Sequence, residues 1–207
     1  MRYKVRHVTE YLYQARVSQC YNLAYLVPRD TGRQKCLHNH IHVEPFSAWS
    51  SKKADYFGNT TYQFEIQSPH EKLVITSESE VLVEMQNNAL QLDFGISYAQ
   101  AKEILSTSKS PEVIEAREFL LPSPAIKLNK NIVDYAAQSF KDNRPLLSAV
   151  RELTSRIYDD FTYDPEATTV ATPVEEVFES KRGVCQDFAH FEIACLRAGC
   201  WSAACGT

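Results

Sequence analysis

The sequence lacks any long apolar run, and its positive charges do not outnumber its negative ones. Its opening residues, MRYKVRHVTEYLY, alternate charged and apolar side chains, which predicts neither a secretory signal nor a membrane anchor. No stretch approaches the roughly 18 consecutive apolar residues of a membrane-spanning helix. The net charge of -4 and the pI near 5.9 provide no basic stripe for nucleic acid. We therefore expect a cytoplasmic protein with neither a membrane nor a nucleic-acid partner.

The six cysteines contain no C-x-x-C pair. Cys195, Cys200 and Cys205 are spaced by five residues, which on a helix turns each thiol about 140° from the last and argues against a zinc site. In a reducing compartment we expect free thiols rather than a disulfide framework.

Residues 1–84 lack helical periodicity and read as β structure. The run 55–66 places Gly58-Asn59 between aromatic segments as a hairpin turn, and the run 73–84 has a polar break at Ser77–Glu80. Together these runs predict an antiparallel, sandwich-like N-terminal β domain over residues 1–84. The predicted strands are 2–8, 19–28, 36–45, 55–66 and 73–84.

Histidines alternate along one predicted strand. Leu37, Asn39, Ile41 and Val43 share one face of this strand, and Cys36, His38, His40 and His42 share the other. The histidine face is either a metal-binding surface or a solvated polar face with Leu37, Ile41 and Val43 turned inward. The lack of an obvious converging carboxylate favours the solvated face, and the metal alternative stays open.

After residue 84 the pattern becomes mostly helical. We interpret residues 85–130 as a linker with helices, beginning with MQNNALQLDF, and residues 131–207 as a second core. Ser110-Pro111 is a favourable helix start, and Thr172 is the expected N-cap of a short helix with Pro173 at its first position. The predicted helices are 98–105, 111–120, 131–140, 145–161 and 172–180.

The segment KRGVCQDFAHFEIACLRA carries the candidate chemistry. Gly183 breaks the preceding structure, and helical periodicity then runs from Cys185 to Ala198. A thiol at a helix N-terminus meets unpaired backbone N–H groups that favour the thiolate, with Lys181 and Arg182 expected to add positive potential. The alternative is that Cys185 is one more small buried residue.

The stretch TPVEEVFESKRGVCQDFAHFEIACLRA resembles the nucleophile segment of bacterial transglutaminase-like proteins. FTYDPEATTV resembles the entry to the same core, and VPRDTGRQ and D-Y-F-G-N resemble the N-terminal domain that accompanies it. The resemblance implies an α+β fold with a papain-like core, no cofactor, and a protein or peptide substrate. It implies that Cys185 attacks an amide carbonyl to form a thioester, assisted by a histidine and an aspartate from later strands.

Neither helper residue is recognisable in this sequence. His190 lies five residues after Cys185, about 140° around a helix and about 7.5 Å along it, so we expect His190 and Asp187 to be structural. After Gly199 the residues CWSAACGT depart from the family pattern, and we expect a frameshifted or truncated, inactive form whose core lacks its β-sheet. The residues after about 160 are then predicted to pack loosely, leaving the face of Phe188, Phe191, Ile193 and Leu196 uncovered. The alternative function is a non-catalytic binding or assembly protein that uses its N-terminal β domain.

Overall fold

The computed structural model describes residues 1–84 and 92–201, which belong to two compact units, 1–89 and 90–207. Each unit is described by itself. Residues 85–91, most of the expected linker segment MQNNALQLDF, lie outside the described residues. No helix in the described part of the chain is both long and apolar enough to cross a bilayer.

The first unit consists of two three-stranded antiparallel sheets, as the alternating sequence predicts. One sheet has the strand order β1-β6-β3 and the other has the order β2-β5-β4. Apolar side chains from both sheets meet in one core that includes Val43, Phe64, Ile66 and Leu73. The strands are β1 (Arg2–Val17), β2 (Cys20–Ala24), β3 (Gln34–Glu44), β4 (Trp49–Ala54), β5 (Thr60–Ile66) and β6 (His70–Val83).

The long strand predicted over 73–84 is confirmed, although β6 begins earlier, at His70, and it runs continuously through the polar stretch Ser77–Glu80. Ser77 and Ser79 are buried, and the side-chain amide of Asn39 donates to both hydroxyls, at 3.0 and 2.9 Å. Ser77 in turn donates to the carbonyl oxygen of Leu26 at 2.9 Å. A buried hydroxyl that finds a partner costs little, so this polar stretch stays within the sheet.

Two other strand details also differ from the prediction. A register shift between Cys36 and His38 turns Leu37 outward, where it is 44% exposed, so the alternation begins only after it. The hairpin strand before Gly58 is β4, not the aromatic residues 55–57. Those residues form the turn, where the Asp55 carboxylate accepts the backbone N–H of Asn59 at 2.7 Å and Gly58 takes a positive φ of 77°.

The second unit contains six helices and one short parallel strand pair among the residues that the structure describes. Ser110 caps α2 and accepts the N–H of Val113, with Pro111 following, as predicted. The elements are α1 (Tyr98–Thr107), α2 (Pro111–Glu118), α3 (Lys130–Ala137), α4 (Leu146–Asp160), β7 (Thr162–Tyr163), α5 (Val174–Ser180), β8 (Arg182–Gly183) and α6 (Cys185–Trp201).

The expected cap of α5 is wrong by one residue. Pro173 occupies the cap position without a side-chain hydrogen bond, and α5 begins at Val174. The hydroxyl of Thr172 instead accepts the backbone N–H of Thr169 at 2.8 Å, which closes the preceding turn.

The loose packing expected after residue 160 is also wrong. Phe191 and Cys195 of α6 are fully buried, and Phe188 and Leu196 are packed against the same core. α3, α4 and α5 cover this side of α6, because Ile132, Leu153 and Val177 belong to that core as well. Ile193 alone among the four residues of the predicted uncovered face is exposed, at 37%.

Candidate active site

Cys185 is the first residue of α6, and its side chain is exposed. The chain reaches it through β8, which pairs in parallel with β7 so that Thr162 lies opposite Arg182 and Tyr163 opposite Gly183. The thiol therefore lies where the first turn of a 17-residue helix presents N–H groups that have no partner within the helix.

Asp187 fixes the start of this helix. Its carboxylate is buried and accepts the backbone N–H of Val184 at 2.8 Å and the hydroxyl of Thr168 at 2.6 Å. The bond to Val184 is one half of a capping box, in which the third helical residue reaches back to the residue before the helix. Asp187 is structural, as predicted, and it also ties the loop that carries Thr168 to the cysteine turn.

Gly183 is required by the same carboxylate. A Cβ at this position would lie 2.6 Å from Oδ2 of Asp187 and 3.0 Å from its Cβ. Both distances are shorter than ordinary carbon contacts, so only glycine lets the chain pass this close to the buried side chain.

Lys181 and Arg182, which the sequence predicts to add positive potential near the thiol, each have other partners. The ammonium group of Lys181 lies 3.8 Å from the centre of the Phe178 ring, and burial lowers the pKa of this lysine. It also lies within 6 Å of three further ring centres, those of Tyr135, Phe161 and Phe191. Arg182 forms an ion pair with Asp164. Each cation thus has partners of its own within the second unit.

The aromatic rings that surround the Lys181 ammonium group also pack against α6. Phe191 of α6 contacts the rings of Phe161 at 4.9 Å, Tyr135 at 5.2 Å and Phe178 at 5.5 Å between ring centres. The Tyr135 hydroxyl donates to Asp160 at 2.7 Å, and burial together with this bond raises its pKa. These contacts hold α6 against α3, α4 and α5.

Within the described part of the second unit, no histidine has its side chain directed at the thiol. His190 is the one histidine in residues 90–207 of the sequence, and α6 runs without interruption from Cys185 through it. On a continuous helix the two side chains point about 140° apart, so they cannot share a proton directly. The described residues thus bring Cys185, Asp187 and Thr168 into one neighbourhood and leave His190 outside it.

Thr168 was not predicted from the sequence. It lies 19 residues before Asp187 in a loop with no regular pattern, and no local signal marks it. The pairing of β7 with β8 brings this loop to the start of α6, where Thr168 can reach Asp187.

The histidine face of β3 is solvated. His38, His40 and His42 are exposed, and His42 contacts Glu44 at 3.0 Å. Within the described ranges, no group of three or more histidine, cysteine, aspartate or glutamate side chains is arranged to hold a metal ion.

Comparisons with known proteins agree with this arrangement. Residues 3–82 match the bacterial transglutaminase-like N-terminal region, and residues 133–199 match the transglutaminase-like superfamily. Uncharacterized proteins of Mycobacterium tuberculosis and Mycobacterium bovis are each 39% identical over 197 residues, covering 95% of this chain and 62% of the relative. A protein of Mycobacterium leprae is 26% identical over 200 residues, covering 95% of this chain and 67% of its own length.

A solved structure shares the fold. A protein of Cytophaga hutchinsonii, described as a putative cysteine protease, aligns with a TM-score of 0.71 at 18% identity and covers 96% of this chain and 63% of its own. The chain thus spans less than two thirds of the length of that structure and of the 39% identical relatives. By these sequence matches, residues 3–82 carry the bacterial transglutaminase-like N-terminal region, and residues 133–199 carry a region of the transglutaminase-like superfamily.

Proposed function

We propose that the second unit is the nucleophile-bearing part of a cysteine enzyme that acts on amide bonds of proteins or peptides. The Cys185 thiolate attacks the amide carbonyl carbon, the C–N bond breaks, and the amine leaves with a proton from a general acid. The resulting thioester passes its acyl group to water or to an amine. The superfamily match of residues 133–199 and the fold shared with a putative cysteine protease support this class of reaction.

One observation carries the proposal. Cys185 is exposed at the first position of α6, while Asp187 behind it is buried and holds the turn in place. A thiolate at a helix N-terminus is stabilised by the first-turn N–H groups. The two other cysteines of α6 provide a contrast, because burial raises the pKa of Cys195 to about 12 and also raises that of Cys200.

Turnover also needs a base. His190 is the one histidine of the second unit, and helix geometry directs it away from the thiol. More than a third of each 39% identical relative lies outside its match with this chain. Under this proposal, the 207 residues by themselves accept an acyl group on Cys185 and release it only slowly.

A nitrophenyl ester tests both halves of the proposal, because its leaving group departs without a general acid. We expect a burst of nitrophenolate of about one equivalent, with little turnover and with the acyl group found on Cys185 by peptide mass spectrometry. Cys185→Ser abolishes the burst. Cys195→Ser is the matched control on the same helix and leaves the burst unchanged, because that thiol is fully buried.

The possible outcomes separate the two function classes. Acylation spread evenly over the exposed thiols, with a burst that survives Cys185→Ser, contradicts the nucleophile and favours the non-catalytic binding alternative. Sustained turnover that depends on Cys185 contradicts only the slow release of the acyl group. In that case each histidine in turn is replaced to find the base.

A further inference from the structure

The first unit contains a cysteine–histidine pair that the chemistry proposed for Cys185 does not use. Cys20 begins β2 and His70 begins β6, and the sulfur lies 3.7 Å from Nε2 of His70. His70 is only 6% exposed, whereas Cys20 is half-buried. A fixed imidazole therefore stands beside a thiol that small solutes can reach.

The hydrogen bond on the other side of the ring sets the tautomer of His70. Nδ1 lies 2.8 Å from the carbonyl oxygen of Ser68, and because a carbonyl only accepts, Nδ1 carries the proton. Nε2 therefore presents its lone pair to Cys20, which is the orientation of a general base. The Tyr13 ring packs edge-on against the imidazole at 5.6 Å between ring centres, and burial raises the pKa of this tyrosine, which keeps its hydroxyl neutral.

A donor to the sulfur completes the arrangement. The side-chain amide of Asn22 donates to Sγ of Cys20 at 3.2 Å. A hydrogen bond received by sulfur stabilises the thiolate more than the thiol, because the anion is the stronger acceptor.

Cys36 in the same unit shows the opposite pattern. It is also half-buried, but its S–H donates to the carbonyl oxygen of His38 at 3.4 Å, which favours the neutral thiol. The chain thus supplies its own matched control.

We propose that Cys20 is an oxidant-sensitive thiol, activated by His70 and Asn22, whose reaction partner is a small hydroperoxide. The thiol proton moves to Nε2 of His70, and the sulfur attacks one peroxide oxygen. The oxygen attacked is the terminal one, which carries hydrogen. The S–O bond forms as the O–O bond breaks, and the departing alkoxide, or hydroxide in the case of hydrogen peroxide, takes the imidazolium proton to become an alcohol or water. Cys20 is oxidised to the sulfenic acid and the hydroperoxide is reduced, and added thiol reverses the modification.

The test uses the full 207-residue chain carrying Cys185→Ser, which removes competition from the exposed thiol. The folded protein is treated at pH 7 with substoichiometric hydrogen peroxide in the presence of dimedone, and labelling is quantified by peptide mass spectrometry. Because His70 stands ready to take the thiol proton of Cys20 and Asn22 donates to its sulfur, we expect Cys20 to be labelled about tenfold faster than Cys36.

Two variants assign the effect. His70→Asn keeps an amide that can donate to Ser68 but removes Nε2, and we expect the Cys20 rate to fall to that of Cys36. Asn22→Leu removes the donor to sulfur at a half-buried position and is expected to slow labelling several-fold. If circular dichroism shows that His70→Asn does not fold, the proposal is tested by the labelling of Asn22→Leu and by the ratio of the Cys20 and Cys36 labelling rates. Equal rates for these two thiols, or a Cys20 rate unchanged in every folded variant, overturn the proposal.

Discussion

At the scale of single residues, Gly183 shows how a buried carboxylate limits the chain beside the candidate nucleophile. Gly183→Ala places a methyl group 2.6 Å from Oδ2 of Asp187, so that side chain must move away from Val184 and Thr168. We expect a loss of about 1–3 kcal/mol in the free energy of unfolding, measured by urea denaturation. The same variant is expected to slow acylation of Cys185, because the turn that presents the thiol loses its anchor.

Gly32→Ala is the matched control for this change, since a Cβ there meets nothing within 4 Å. Gly183→Ala in an Asp187→Ala background gives a second check. Once the carboxylate is gone, the added methyl group should cost less than in the wild type, because only the 3.0 Å contact with Cβ of residue 187 remains. Equal costs in both backgrounds would show that the contact with the Asp187 carboxylate is not the cause.

Residue-level prediction from the sequence succeeded where the signal was local and failed where it was not. The start of α2 at Ser110-Pro111 could be predicted, because a helix cap and the N–H group that it accepts lie within one turn. The burial of Ser77 and Ser79 was not predicted, because their partner Asn39 comes from another strand. The hydrogen bond from Thr168 to Asp187 is hidden for the same reason.

At the scale of elements, the junction of α5 with β8 depends on Lys181, which ends the helix with a positive φ of 55°. Burial lowers the pKa of this lysine, while the four surrounding rings attract its charge. Lys181→Met keeps the apolar stem and removes the charge. We expect the wild type to gain stability relative to Lys181→Met as the pH rises from 7 towards 10.

The sign follows from proton binding. With its pKa lowered in the folded state, Lys181 loses its proton before the unfolded chain does, so the unfolded chain binds more protons below the ordinary value of about 10.4. Stability therefore rises with pH in this window. Urea denaturation at several pH values measures it, and Lys130→Met, at an exposed lysine, controls for the loss of one charge. A constant difference between the wild type and Lys181→Met would mean that the rings offset the effect of burial.

Most helices could be predicted from the sequence, because the apolar side of each amphipathic pattern marks the face that packs on the core. α4 was predicted from Leu146, Val150, Leu153 and Ile157, and these residues do pack on the core. The prediction that one face of α6 stays uncovered was wrong, because that face does not depend on a sheet for its cover. The aromatic side chains of α3, α4 and α5 and of the residues between them provide that cover instead.

At the scale of the whole molecule, each compact unit has a core of its own, and we expect each unit to unfold separately. Phe64→Ala removes a ring that is 1% exposed in the first unit, and Phe191→Ala removes a fully buried ring in the second. Each change should cost about 3–5 kcal/mol in its own unit. Hydrogen exchange of peptides from β6 and α6, with alkylation of Cys195 under increasing urea, measures the two units in one sample.

Phe64→Ala should release protection in β6 at lower urea and leave Cys195 protected, whereas Phe191→Ala should do the reverse. Cys195 is a sensitive reporter, because it is fully buried and its thiol, with a pKa raised to about 12, reacts only when the second unit opens. If either variant shifts both reporters equally, the chain unfolds as one cooperative body. The candidate nucleophile would then depend for its position on the β domain as well as on the helices beneath it.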